Sequence, residues 1–323
     1  MENTENSTNK TSYAFPPEKP EPIGKWAKIR RAIWNPESKQ FLGRTGKSWA
    51  GILFFYVCFY SALAALFAIC MQVLLLTVND EQPRWTLDNS LIGTSPGLGF
   101  RPITKDVEHG GSLIWYDGKN ESQIKIWKDR LDEFLEMYLD KNKLPGKGQN
   151  QVSCNFTRPP IGKQVCEVPV NKWGECSSSN GYSYHKNAPC IFIKLNRIFG
   201  WVPEYYNDPE SLPEDMPDSL KEAINRTDPK ERNMVWVSCQ GENPADRENS
   251  GTFSYHPMQG FPSFYYPYTF QEDYLSPLVA VRLERPALNV LINIECRAWA
   301  KNINYVRNAN QREGSVHFEV MID

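Results

Sequence analysis

The chain has 323 residues, 23% of them charged and 41% hydrophobic, with a formal net charge of -2. That is enough chain for one or two domains with a real core, and the absence of a basic excess argues against nucleic acid as a partner. The departures from an ordinary globular composition are local and appear in chain order.

Residues 1 to 24 are polar and Pro-rich (AFPPEKPEP) and read as a disordered tail. Residues 25 to 47 then carry Lys25, Lys28, Arg30, Arg31, Lys39, Arg44 and Lys47 against the single acid Glu37. From Trp49 to Val78 no charged residue occurs, and only Ser61, Gln72 and Thr77 are clearly polar. At about 1.5 Å per residue such a run reaches roughly 45 Å as a helix, against roughly 30 Å of hydrocarbon, so it predicts a tilted membrane span. The run is about twice as long as a signal peptide's apolar region, and a polar segment precedes it. The positive-inside rule places the N-terminus in the cytosol. Nine of the 36 Lys/Arg and five of the 38 Asp/Glu lie within residues 1 to 47, which leaves the remainder mildly acidic.

The span has two unlike faces. At 100° per residue, Tyr56, Tyr60, Leu63 and Phe67 fall within about 60° of one another. Cys58, Ser61, Ala65, Ala68 and Gln72 lie roughly opposite, with small residues at Ser61 and Ala65. Small residues permit close helix approach, and polar groups in hydrocarbon seek partners. Tyr56 suits an interfacial aromatic belt, but Tyr60 is too deep for one. The segment is therefore expected to pack against other membrane helices rather than to serve as a passive anchor.

Beyond the span, Ser95 to Pro102 (SPGLGFRP) reads as extended stalk, and Glu121 to Lys141 as the one convincing soluble helix, with Ile124, Trp127, Leu131, Phe134, Leu135 and Tyr138 at spacings of three and four. The stretch Asn207 to Arg232 is Pro- and acid-rich and reads as a long loop. Elsewhere the period is two. Leu288, Val290, Ile292, Ile294, Cys296 and Ala298 share a face, as do Val316, Phe318, Val320 and Ile322, and Val235, Val237 and Cys239. Short alternating strands between Pro/Gly/Asn loops predict an antiparallel, immunoglobulin-like β-sandwich. Cys239 and Cys296 both fall on inward faces, which would let a bridge join the two sheets. Six of the eight cysteines lie beyond the span, an even number suited to an oxidising space. The sequons at Asn120, Asn155 and Asn225 fit the same side, whereas Asn6 and Asn9 fall on the cytosolic side and should stay bare.

Motifs that imitate chemistry fail on inspection. Gly93-Thr94-Ser95-Pro96-Gly97 fits G-x-S-x-G, but Pro96 lacks the N–H that an oxyanion hole needs after the serine. Gly43 to Ser48 ends like a phosphate-binding loop, yet Phe41 stands where its first glycine belongs. His109, His185, His256 and His317 are scattered, no C-x-x-C or Asp-x-Asp occurs, and nothing places two carboxylates together. Neither an active site nor a metal or cofactor site is expected.

Several stretches together resemble the beta subunits of P-type ion-pumping ATPases, those of the sodium/potassium pump foremost and in an invertebrate-like form. They are Phe41-Leu42-Gly43-Arg44-Thr45-Gly46 with Ser48-Trp49; Phe55-Tyr56, Phe59-Tyr60, Leu63-Ala64 and Phe67; Ser95 to Pro102; Pro189 to Arg197 with Gly200; Gly260-Phe261-Pro262 and Tyr265-Tyr266-Pro267-Tyr268; Tyr274-Leu275 with Pro277 to Val281; and Ile294-Glu295-Cys296. The resemblance runs from about Trp34 to the C-terminus. It departs where the family continues with Tyr-Gly-Lys, since Thr269-Phe270-Gln271 stand here.

The resemblance implies a non-catalytic, single-pass type II glycoprotein of the plasma membrane, its C-terminus extracellular, bound to a catalytic alpha subunit and open to a small single-span regulatory subunit. It implies roles in alpha folding, membrane delivery and potassium affinity, and the bridges Cys154–Cys166, Cys176–Cys190 and Cys239–Cys296. Alpha contacts would fall on Tyr56, Tyr60, Leu63 and Phe67 in the membrane and on Tyr265, Tyr266, Pro267 and Tyr268 outside. The expected organisation is a cytoplasmic tail at 1–48, a span at 49–78, a stalk at 79–105 and the sandwich at 106–323. A type II adhesion glycoprotein and the beta subunit of a proton/potassium pump are the alternative readings.

Overall fold

The computed structural model describes residues 25–36, 38–79, 82–104, 111–308 and 311–323. The expected disordered tail at 1–24, with Asn6 and Asn9, and His109 lie outside the described residues. The chain divides into two compact units, Met1–Val78 and Asn79–Asp323.

The first unit holds helix α1 (Lys25–Ile33), a three-stranded antiparallel ladder of two-residue strands (Trp34–Asn35, Gln40–Phe41, Arg44–Thr45) and helix α2 (Gly46–Leu76). α2 has 31 residues, is long and apolar enough to cross a membrane, and buries none of its side chains within the protein. It begins three residues before the expected boundary at residue 49, because Gly46 and the Lys47 backbone are already helical.

The second unit is a β-sandwich. Its four-stranded sheet has the order β5-β7-β3-β1, where β1 is Leu98–Arg101, β3 Cys190–Leu195, β5 Thr252–His256 and β7 Leu278–Glu284. Its five-stranded sheet has the order β6-β4-β8-β9-β2, with β2 Leu113–Tyr116, β4 Met234–Gly241, β6 Gly260–Pro262, β8 Ile292–Trp299 and β9 Ser315–Ile322. All neighbours are antiparallel except β9 and β2, which run parallel. The period of two builds the core as expected: Phe318, Val320 and Ile322 are buried while His317 and Glu319 are not. The Phe100 ring of β1 meets Phe318 of β9 at 5.1 Å, one of the contacts joining the sheets.

Helix α3 (Glu121–Leu139) buries Ile124, Trp127, Leu131 and Leu135. The Asn120 side chain caps it by accepting from the amides of Ser122 and Gln123, which satisfies two otherwise free donors. Trp127 Nε1 donates to Trp115 O on edge strand β2 at 3.0 Å, so the helix covers part of that sheet's open side. Its Asp132 accepts from Tyr182 OH and Ser178 Oγ, and the Tyr182 ring meets Phe192 of β3 edge-on. β3 is consequently buried on both faces over its first four residues, which read as an apolar run rather than an alternation.

Four expectations change. Leu98–Arg101 is extended as read, but it is an edge strand paired with β3 instead of free stalk, because Leu98 and Phe100 are buried in the core. The stalk expected over 79–105 therefore ends before the sandwich's first strand. Leu288 and Val290 precede β8 and are exposed, since the ladder ends at Ile292 and Asn289 turns the chain with φ 58°. The loop Asn207 to Arg232 contains helix α4 (Asp218–Arg226), whose Leu220 and Ile224 build a second small core with Met216, Met234, Trp236 and Trp299. Finally, the cysteines pair as the resemblance implies, but Cys239 and Cys296 are register partners on β4 and β8. That bridge lies within one sheet and does not join two.

Candidate functional site

The motifs set aside on sequence have structural roles. Ser95 Oγ accepts the Asn304 amide at 3.0 Å, Gly43 occupies a turn with φ 75° between ladder strands, and Gly46 opens α2. His185 sits on a short helical segment, His256 on β5 and His317 on β9. Among the described residues, no group of three or more His, Cys, Asp and Glu could hold a metal ion. What remains are two aromatic surfaces, one in each unit, at the positions where contacts with a partner are expected.

On α2 the Tyr56 and Tyr60 rings stack with centroids 5.9 Å apart and planes 22° apart, one helical turn separating them. Phe55 and Phe59 form a second, parallel stack at 6.1 Å and 14°. Phe55 meets Tyr56 and Phe59 meets Tyr60 edge-on, each at 5.5 Å, so the four rings make one continuous aromatic plate. Neither tyrosine hydroxyl has a hydrogen-bond partner among the described residues. Leu63 and Phe67 continue the tyrosine face and are exposed. A hydroxyl in hydrocarbon without a partner is costly, which makes this face one that a neighbouring helix would complete.

In the second unit, a helical turn (Ser263–Tyr265) after β6 carries the chain into Tyr265-Tyr266-Pro267-Tyr268. Tyr265 is half-buried and its hydroxyl donates to Glu167 O at 2.8 Å. Tyr266 sits edge-on against Trp201 at 5.5 Å with its hydroxyl enclosed, and burial raises its pKa well above the ordinary value. Pro267 is exposed. Tyr268 packs against Tyr274 at 4.8 Å and Phe270 at 5.6 Å, under the Arg197 guanidinium at 5.0 Å. The first two tyrosines thus support the loop, while Pro267 and the Tyr268 edge face outward.

The structure adds residues that sequence reading missed. Phe270 is 50% exposed and rests on Phe199 at 5.0 Å, extending the aromatic surface of Tyr268. Gln271 closes the loop: its Oε1 accepts the Thr269 amide at 2.8 Å and its Nε2 donates to Pro267 O at 3.1 Å. Thr269-Phe270-Gln271, where the chain departs from the family pattern, therefore forms a self-braced turn with φ 59° at Phe270. On β3, burial lowers the Lys194 pKa, and the charges of Arg197 and Arg101 lower it further. An aromatic surface under the Arg197 guanidinium suits a partner that is apolar at its centre and carries an acid opposite Arg197. No local signal ties Phe199 to Tyr268, since the bridge between them spans some seventy residues.

Comparison with known proteins gives a consistent result. Residues 19–318 match the family model described as the sodium/potassium ATPase beta chain. The chain is 49% identical over 314 residues to sodium/potassium-transporting ATPase subunit beta-2 of Drosophila melanogaster, covering 96% of this chain and 95% of that one. Against subunit beta-1 of the same organism it is 48% identical over 291 residues, covering 90% and 91%. Against subunit beta-2 of Homo sapiens it is 32% identical over 308 residues, covering 90% and 92%.

Proposed function

The chain belongs to the sodium/potassium ATPase beta chain family, and from that premise we infer that it works as the non-catalytic beta subunit of a sodium/potassium-transporting ATPase. Its partner is the catalytic alpha subunit, which carries ATP hydrolysis and ion movement. In this reading the chain crosses the plasma membrane once, with its N-terminus cytosolic and its sandwich extracellular. It aids alpha folding and delivery and tunes potassium affinity, and it leaves room for a small single-span regulatory subunit.

The observation that carries this reading beyond family membership is the Tyr56–Tyr60 stack, displayed on a helix that buries none of its own residues. The geometry supports a two-point grip. The tyrosine face of α2 packs on an alpha helix, and the braced Pro267–Phe270 loop meets an outer alpha loop, with Tyr265 and Tyr266 holding that loop from within. Because grip strength differs between alpha conformations, occupancy by this subunit shifts their populations, and with them the affinity for potassium.

The test is purification in mild detergent from cells that make both chains. An equimolar complex with an alpha subunit supports the reading. A sandwich recovered alone, with α2 uncovered and pump activity independent of this chain, overturns it.

A further inference from the structure

Ahead of the span lies an element that the two-point grip does not use. Trp26 of α1 is 85% exposed, Ile29 51% and Ile33 47%. At 100° per residue these three fall within about 60° of one another, so α1 carries an apolar stripe that nothing among the described residues covers. Lys25 and Arg30 border that arc on either side, and positions 28 and 31 fall well outside it; all four are basic, and the helix contains no acid.

The element is fastened to the span. The Leu42 amide donates to Ile33 O at 2.9 Å, closing the ladder onto the end of α1. Trp49 Nε1, in the first turn of α2, donates to Phe41 O at 2.9 Å, and the two rings lie 6.0 Å apart. Trp34, Phe41 and Leu42 on the ladder are exposed as well. A hydrogen-bonded elbow, and not a free linker, thus joins α1 to the head of the span.

Exposed tryptophan and isoleucine on one stripe of a basic helix have a specific physical complement. The bilayer boundary takes the stripe among the upper acyl carbons while the cations meet headgroup phosphates. Tryptophan favours that depth. The elbow keeps α1 beside the bilayer in any case, so its effective concentration there is high. Charge selects the lipid: a surface with one acid among residues 25 to 47 is attracted to anionic headgroups and gains little from neutral ones.

We propose that α1 and the ladder form an interfacial binding element for anionic phospholipids, with Trp26, Ile29 and Ile33 at the acyl boundary and the helix's basic residues on the headgroup phosphates. The inference does not depend on the subunit reading or on which side of the membrane residues 25 to 47 lie.

The full-length chain is placed in nanodiscs of phosphatidylcholine alone, or with about 30% phosphatidylserine in both leaflets, a composition that supplies the negative surface potential required. Amide hydrogen exchange is read over residues 26 to 33, with exchange along α2 reporting correct insertion. We expect exchange at least tenfold slower with phosphatidylserine, and the difference to shrink in high salt. The variant Lys25→Gln/Lys28→Gln/Arg30→Gln/Arg31→Gln should exchange alike in both discs, and Trp26→Ser/Ile29→Ser should lose protection in both. Equal exchange of the unaltered chain in the two discs overturns the proposal, as does a lipid effect that survives in the glutamine variant. Protection that appears only with a co-purified alpha subunit, whatever the lipid, overturns it too, because a protein surface would then cover the stripe.

Discussion

Cys239 on β4 and Cys296 on β8 face each other as register partners in one sheet, their Cα atoms 4.0 Å apart. Hydrogen bonds of the β4–β8 ladder continue on either side of them, from Trp299 opposite Trp236 to Ile294 opposite Gly241. The bridge therefore reinforces a pairing that the backbone already makes, while the packing of one sheet on the other rests on apolar contacts such as Phe100 with Phe318. Its stabilisation comes from the 57-residue loop that it closes, worth about 4 kcal/mol in the chain-entropy account, against about 3 kcal/mol for separations of 12 and 14. Cys239→Ala/Cys296→Ala should be the most destabilising of the three double replacements in denaturant titrations. Hydrogen exchange should quicken in β4 and β8 before β3 and β7. Simultaneous loosening of both sheets would contradict the in-sheet account.

The Tyr56–Tyr60 stack leads to a membrane prediction. Tyr56→Ala/Tyr60→Ala removes two aromatic contacts from the proposed alpha seam but should leave insertion and expression intact, since alanine is tolerated in a membrane helix. Packing contacts of this kind are worth on the order of 1 kcal/mol each, so apparent potassium affinity or alpha recovery should change several-fold. Leu75→Ala, about 100° around the helix from Tyr56 and so off the tyrosine face, should do much less. Potassium-dependent pump currents for the two variants decide the matter, and equal currents would reduce the tyrosines to interface anchors.

Asn120 has two separable roles, a proposed glycan site and the cap of α3. Its Oδ1 accepts from two amides, which leaves Nδ2 free for a sugar, and the residue is exposed. Ser122→Ala should remove the glycan and keep the cap, whereas Asn120→Ala should remove both and cost about 1 kcal/mol more. Glycosidase-induced mobility shifts and thermal melts of the two variants separate the effects. Asn155 and Asn225, also exposed, should each contribute one further shift, and Asn6 and Asn9 none.

Asp246 supplies a pH-dependent term. Burial raises its pKa, but hydrogen bonds from Asn293 and Asn243 outweigh that and hold the carboxyl below the usual range. A depressed carboxyl contributes stability that is complete above its unfolded pKa, about 3.9, and lost as pH falls through the folded value. Asp246→Asn places an amide NH2 where the Asn243 amide now donates, so it should cost about 1–3 kcal/mol at neutral pH. The gap between the two proteins should hold down to about pH 5 and close below about pH 4. A gap that widened on acidification would contradict this assignment.

Much of the molecule was legible in local pattern. The charge-free run predicted α2, the 3,4-spacing predicted α3 to within two residues of its end, and the period of two predicted the inward faces of β4, β8 and β9. Nothing comparable announced α4, where Pro and acidic residues mask a nine-residue helix with only two fully buried positions, or α1, whose basic residues read simply as a charged flank.

The sequence by itself determined where the long apolar helix α2 lies, where the amphipathic helix α3 lies, and which side of β8 and β9 is apolar. These follow from the geometry of single elements, which repeats every 3.6 or two residues and leaves its trace in neighbouring positions. Only the tertiary structure decided that Leu98–Arg101 is an edge strand, that β2 runs parallel to β9, that Cys239 and Cys296 share a sheet, and that Tyr265 and Tyr266 turn inward while Phe270 faces out. Each of these depends on which distant segments pair, and a strand's alternation states that one face must be buried without naming the segment that buries it.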